Sequence, residues 1–122
     1  MAGLDAREPT TGLCDHPAVM AYHRLVFDTP SLASRVAEYA AAETEALAEA
    51  MSEAANSASR PVPRLTSRLV AAQYVAVRQI LARDNYAALA SGRTAGEVYG
   101  EAVAAAGIAF DLLRQGARAH GL

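Results

Sequence analysis

All five prolines of this 122-residue chain lie within its first 63 residues, and four of them stand where a helix can begin or has to stop. Pro17 follows Asp15-His16 and Pro30 follows Thr29. At the first helical position a proline loses nothing, because its missing N–H would have no intrahelical partner there. Pro61 and Pro63, preceded by Asn56, Ser57 and Ser59, do the opposite and deny a continuing helix. From Arg64 to the end there is no proline, and about a quarter of the chain is alanine, the strongest helix former. These marks predict helix A from about Pro17 to Asp28 and a long helix B from Pro30 to the proline break. Helix C should run from near Arg64 to Ala90, closed by Ser91-Gly92, with a weak point at Asp84-Asn85. Helix D should begin at the capping box Thr94-Ala95-Gly96-Glu97 and stop before Gly121. No stretch alternates as a strand would, so the fold class is all-α. Four main helices with short connections give an antiparallel, bundle-like domain over residues 16–122, with 1–15 an irregular N-terminal segment or linker remnant.

Length and composition narrow the function. The chain suits one core, and its 52% hydrophobic content excludes a disordered segment. A net charge of −2 gives no positive field for a phosphate backbone, so direct nucleic-acid contact is not expected. One cysteine, Cys14, excludes an internal disulfide. The longest apolar stretch, Ala102 to Phe110, is too short to span a membrane, and Asp5, Arg7 and Glu8 occupy the place of an apolar signal. A cytoplasmic location with no membrane association is the expectation. His16 and His23, seven residues apart, do not form a chelating pair; there is no Glu-x-x-His and no glycine-rich phosphate loop. No metal, no cofactor and no enzymatic activity are expected.

Helical periodicity assigns the faces. On helix B, Leu32, Val36, Ala40, Leu47, Met51 and Ala54 share one arc opposite Glu38, Glu45, Glu49 and Glu53, and Glu43 falls within the apolar arc. Helix C has a broad apolar arc with Leu65, Leu69, Val70, Ala72, Tyr74, Ala76, Val77, Ile80 and Leu81; Gln73 falls near its centre, and Arg64, Arg68, Arg78 and Gln79 mark a solvated side. Helix D presents Val98, Tyr99, Ala102, Val103, Ala106, Ala109, Phe110 and Leu113, with Ala105, Ile108 and Leu112 as a second patch. Gly96, Gly100 and Gly107 edge its main face, where close backbone approach would offset their cost in a helix. So much apolar surface on C and D predicts a homodimer. On helix A, His23 lies between Val19 and Phe27.

Three inward polar groups therefore stand out: His23, Glu43 and Gln73. They either hydrogen-bond within the core or surround a cavity walled by Tyr22, Phe27, Tyr39, Met51 and Tyr74. An inward Glu43 has to pair with His23, meet an arginine, or face a wet cavity.

The run Arg24-Leu25-Val26-Phe27-Asp28-Thr29-Pro30-Ser31-Leu32, followed by a helix with Glu43-Thr44-Glu45-Ala46-Leu47-Ala48-Glu49-Ala50, resembles the C-terminal regulatory domain of TetR-family transcriptional repressors. Ala88-Leu89-Ala90-Ser91-Gly92-Arg93 and Ala109-Phe110-Asp111-Leu112-Leu113 are similar to segments of that domain's last two helices. The resemblance covers residues 16–120 and implies a domain that senses an unknown small-molecule effector. It implies a dimeric four-helix interface from the last two helices, which would involve Val70, Val77, Leu81, Gly96, Gly100, Val103, Gly107 and Phe110. It also places His23, Glu43 and Gln73 near an effector pocket. The family's helix-turn-helix has no counterpart in these residues, so DNA would be contacted only through a separate N-terminal domain. The alternative is a standalone helical homodimerisation module that binds protein and no small molecule.

Overall fold

The computed structural model describes residues 13–122, which are helical apart from the segment before the first helix and short connections. The four helices are α1 (Pro17–Asp28), α2 (Pro30–Ser57), α3 (Arg64–Ala90) and α4 (Ala95–Ala119), and no strand occurs among the described residues. Both helix-opening prolines sit in the first turn as expected. The trio Asp15-His16-Pro17 divides its work between two helices. His16 Nδ1 accepts from the Ala18 N–H at 3.1 Å and caps α1, whereas Asp15 Oδ2 accepts from the Ala95 N–H at 3.3 Å and so helps to cap α4. Thr94 Oγ1 accepts from the Glu97 N–H at the same helix start, 3.2 Å away. α3 passes through Asp84-Asn85 as one element.

The last three helices end alike. After α3 and α4 the chain turns through Gly92 (φ 104°) and Gly121 (φ 88°), and after α2 through Ser59 (φ 56°). In each case the next N–H reaches back five residues: Arg93 to Ala88, Leu122 to Ala117, Arg60 to Ala55. This left-handed C-terminal turn suits glycine, which has no Cβ to clash, and only α2 uses a residue that has one.

α3 is the central element. It packs against α2 on one side and α4 on another, with α1 against α2 and the C-terminal half of α3; α2 and α4 have no seam of their own. Ser52 meets Ser67, Glu45 meets Arg68 and Glu43 meets Arg78, so contacts descend along α2 as they ascend α3 and the two helices run in opposite directions. Their seam is built from small residues. Ala48 and Ala55 on α2, with Ser67, Ala71 and Val75 on α3, are all buried, and Ser52 Oγ donates to Ser67 Oγ at 2.9 Å. Helices approach closely where such residues recur every three or four positions.

These seams correct two sequence-based faces. The apolar arc read for helix B contains none of the residues that α2 buries at the seam, and Leu32 and Val36 on that arc are exposed, as is Tyr39 beside it. On α3 the difference is larger: Leu65, Leu69 and Ile80 face solvent, while Arg68 and Arg78, placed on the solvated side, reach α2. A hydrophobic wheel weights large residues, and here the contact belongs to small ones.

A second core sits at the α3–α4 corner, where Leu13, Leu89 and Val98 are buried with Met20, Ala88, Ala95 and Ala102 around them. Leu13 belongs to the stretch expected to be irregular; it has no regular secondary structure, yet it fills this corner. Residues 1–12 lie outside the described part.

Candidate functional site

The candidate residues fall into two clusters and one outlier. The first cluster spans three helices. Glu43 on α2 meets Arg78 on α3, whose Nη2 donates to Oε2 at 2.6 Å and lies 2.5 Å from Oε1. Of the three partners open to Glu43, it takes the arginine. The pair is about two-fifths exposed, 41% and 42%, so it is neither sealed in the core nor free in solvent. The Arg78 guanidinium carbon stands 6.0 Å from the centroid of the Tyr74 ring, and that ring lies 5.6 Å from Phe110 on α4. Tyr39, Glu43, Leu47 and Met51 recur every four residues and so share one flank of α2. Tyr39 is exposed there and Met51 half-buried. On α4, Tyr99, Val103 and Phe110 share an arc with Gly96, Gly100 and Gly107. The α2 flank and the α4 arc thus lie on either side of Tyr74 and Arg78, with no seam closing α2 onto α4.

The second cluster lies at the other end of α3. His23 stacks against Phe27 at 6.0 Å and meets Tyr86 edge-on at 5.6 Å; Phe27 and Tyr86 are 5.1 Å apart, and Tyr22 is 5.8 Å from His23. Arg83 covers the outer face of this group, 4.8 Å from the Phe27 centroid, a cation–π contact. Tyr22 itself is exposed. His23 and Phe27 are therefore held by Tyr86 and Arg83, while Glu43 is held by Arg78.

Gln73 is the outlier. The expected inward position is wrong for this chain: Gln73 is exposed, because α3 buries Ser67, Ala71 and Val75 on a different side. The proposed interface residues also divide. Val70, Val77, Leu81 and Phe110 are half-buried within the chain, whereas Gly96, Gly100, Val103 and Gly107 are exposed. A Cβ at Gly100 or Gly107 would meet nothing within 4 Å, and one at Gly96 only Thr94 Oγ1 at 4.0 Å, so no close approach inside the chain accounts for these glycines.

Arg78, Arg83 and Tyr86 were missed by sequence reasoning. A signal for the first existed: Ser67, Ala71 and Val75 repeat every four residues opposite Ala48, Ser52 and Ala55, a pattern that turns the arginine edge of α3 toward α2. Two open hollows lie along the described surface, the larger beside Tyr86. One of about 680 Å³ is lined by Met20, Arg24, Leu25, Asp28 and Tyr86 among others, and one of about 330 Å³ by Glu45, Glu49, Ser52, Glu53 and Arg64 among others. Neither includes any residue predicted for the effector site.

At the α3–α4 corner Arg93 makes two 2.9 Å bonds to Glu101. Hydrogen bonding and charge hold the Glu101 carboxyl below, and the Arg93 guanidinium above, their ordinary values. Among the described residues no three His, Cys, Asp or Glu side chains are placed to hold a metal ion, and no helix is long and apolar enough to cross a membrane. No family model, curated protein or solved structure matches the chain.

Proposed function

We propose that this chain is the effector-binding and dimerisation domain of a TetR-like transcriptional regulator, cytoplasmic and without catalytic activity of its own. The observation that carries the effector site is the half-exposed Glu43–Arg78 pair, set beside Tyr74 and Phe110 between two helices that do not pack on each other. A small molecule lying along this opening would meet Tyr39 and Met51 from α2 and aromatic surface from α3 and α4, with one charge of each sign to orient it. The His23 cluster and Gln73 stand apart from it, which narrows the candidate ligand contacts to Tyr39, Glu43, Met51 and Tyr74, with Arg78 added.

The dimer is supported by apolar surface that one chain leaves uncovered. Leu65, Leu69 and Ile80 on α3 and Tyr99, Val103, Ile108 and Leu112 on α4 are 45–67% exposed. Pairing α3 and α4 with their copies in an antiparallel four-helix arrangement would cover the Tyr99–Val103 side of α4, which also carries Gly96, Gly100 and Gly107; Ile108 and Leu112 lie on its opposite side. The exposed set moves the α3 contribution from Val70, Val77 and Leu81 toward Leu65, Leu69 and Ile80.

Thermal melting against a metabolite library tests the sensor: an effector at one hundred times its Kd adds about 2.7 kcal/mol of stability. A library that leaves the melting temperature unmoved sinks this reading. It would favour a homodimerisation module, which one observation supports: Glu43 already has its countercharge within the chain. Light scattering on dilution tests the dimer, and a monomer at micromolar concentration overturns it.

A further inference from the structure

α2 and α4 share no seam, yet one line of side chains joins them through α3. Glu43 holds Arg78; the Arg78 guanidinium stands off the Tyr74 ring at 6.0 Å; Tyr74 packs on Phe110 at 5.6 Å. Each link constrains the next. The carboxylate fixes where the guanidinium lies, and the guanidinium fixes the electrostatic environment of the ring face. Tyr74 and Arg78 are also one helical turn apart on α3, so their side chains are neighbours whichever way α2 moves. We propose that Glu43, Arg78, Tyr74 and Phe110 form a coupling device through which a displacement of α2 changes the seating of α4. Its regulatory meaning rests on the sensor reading above, because the device joins the candidate effector flank of α2 to the α4 arc offered for dimerisation; the mechanical coupling itself does not.

The N-terminal turns of α4 form a built-in control. Thr94, Asp15 and the Arg93–Glu101 pair hold them independently of this line. Arg78 hydrogen-bonds to Glu43 on α2, and Phe110 meets the Tyr74 ring on α3.

Amide hydrogen exchange on the full chain tests the coupling without any ligand. In Arg78→Met, exchange over residues 106–114 should rise about two- to fivefold, the scale of a partly exposed ion pair, with residues 95–101 unchanged. Coupling is reciprocal, so Phe110→Leu should raise exchange over residues 40–47 on α2, a helix with which α4 shares no seam. If Arg78→Met fails to fold, Glu43→Gln asks the same question while keeping a side chain that can still accept a hydrogen bond. The proposal is overturned if each substitution speeds exchange only in the helices its side chain touches, or if both halves of α4 respond equally. A coupling seen here with no effector found in the melting screen would remove the sensor reading and leave the device; an effector found with no coupling would do the reverse.

Discussion

The α2–α3 and α3–α4 pairs use the same central helix in opposite ways. Against α2, α3 offers Ser67, Ala71 and Val75, small or slender residues that are almost fully buried and rimmed by the Arg68–Glu45 and Arg78–Glu43 ion pairs. Against α4 the buried contact concentrates at one corner, around Leu89 and Val98, and large apolar side chains remain in solvent along both helices. The first seam is completed within one chain. The second has apolar surface left over, and glycines that face open space. α2 also leaves Leu32, Val36 and Tyr39 exposed, but of the four helices only α4 joins exposed apolar side chains to glycines that face open space, the combination that marks a surface available to a partner.

The sharpest way to break the contrast is to damage the corner. Leu89→Ala removes a side chain that is 6% exposed and joins α3 to α4, and should cost about 2–4 kcal/mol in urea unfolding. Next comes the seam: Ala71 has no accessible surface, so Ala71→Leu forces α2 and α3 apart and should cost about 1–3 kcal/mol by the same measurement. Ser59→Gly works in the other direction, relieving the one left-handed helix end that lacks glycine, and should stabilise by about 0.5–1 kcal/mol. Val103→Ser, at a side chain 53% exposed, should change monomer stability by no more than about 0.5 kcal/mol while weakening self-association in sedimentation equilibrium. A large loss of stability in the Val103 variant would show that this surface is already used inside the chain.

The smallest effect concerns acid. Glu101 ionises more readily in the folded chain than ordinarily, so its contribution is present above the ordinary glutamate range and disappears as pH falls through its lowered folded value. Glu101→Gln should therefore cost a little stability at neutral pH and none in acid, where the parent has already lost this contribution, which flattens the acid limb; the effect is small because both side chains are solvent-screened.

Helix limits were legible because they are written in local chemistry. Pro17, Pro30, the Pro61–Pro63 break, Gly92 and the Thr94 cap act within a few residues of themselves, and the helices begin and end where these residues put them. Helix faces were less legible. Hydrophobic periodicity weights Leu65, Leu69 and Ile80 above Ser67 and Ala71, yet the small residues make the seam and the large ones remain outside. That inversion misplaced Gln73 and hid Arg78. Glu43 was read as an inward carboxylate that would pair with His23, meet an arginine or face a wet cavity; that it takes Arg78, at a half-exposed edge, depended on the register of α3 against α2. Separation of His23 from Glu43 was not readable at all, because it depends on where α1 meets α3.

Asp15 and Ala95 hydrogen-bond across 80 residues of sequence, and Leu13 closes the same corner. A ribosome adds about 5–20 residues per second, so Asp15 waits roughly 4–16 s before its partner is even synthesised. During that interval Leu13 and later Leu89 have no Val98 to cover them, while the α2–α3 hairpin can already close behind them. The last turn of sequence to matter for the corner is the first turn of α4, and a chain stalled before it carries a finished hairpin beside an unfilled core.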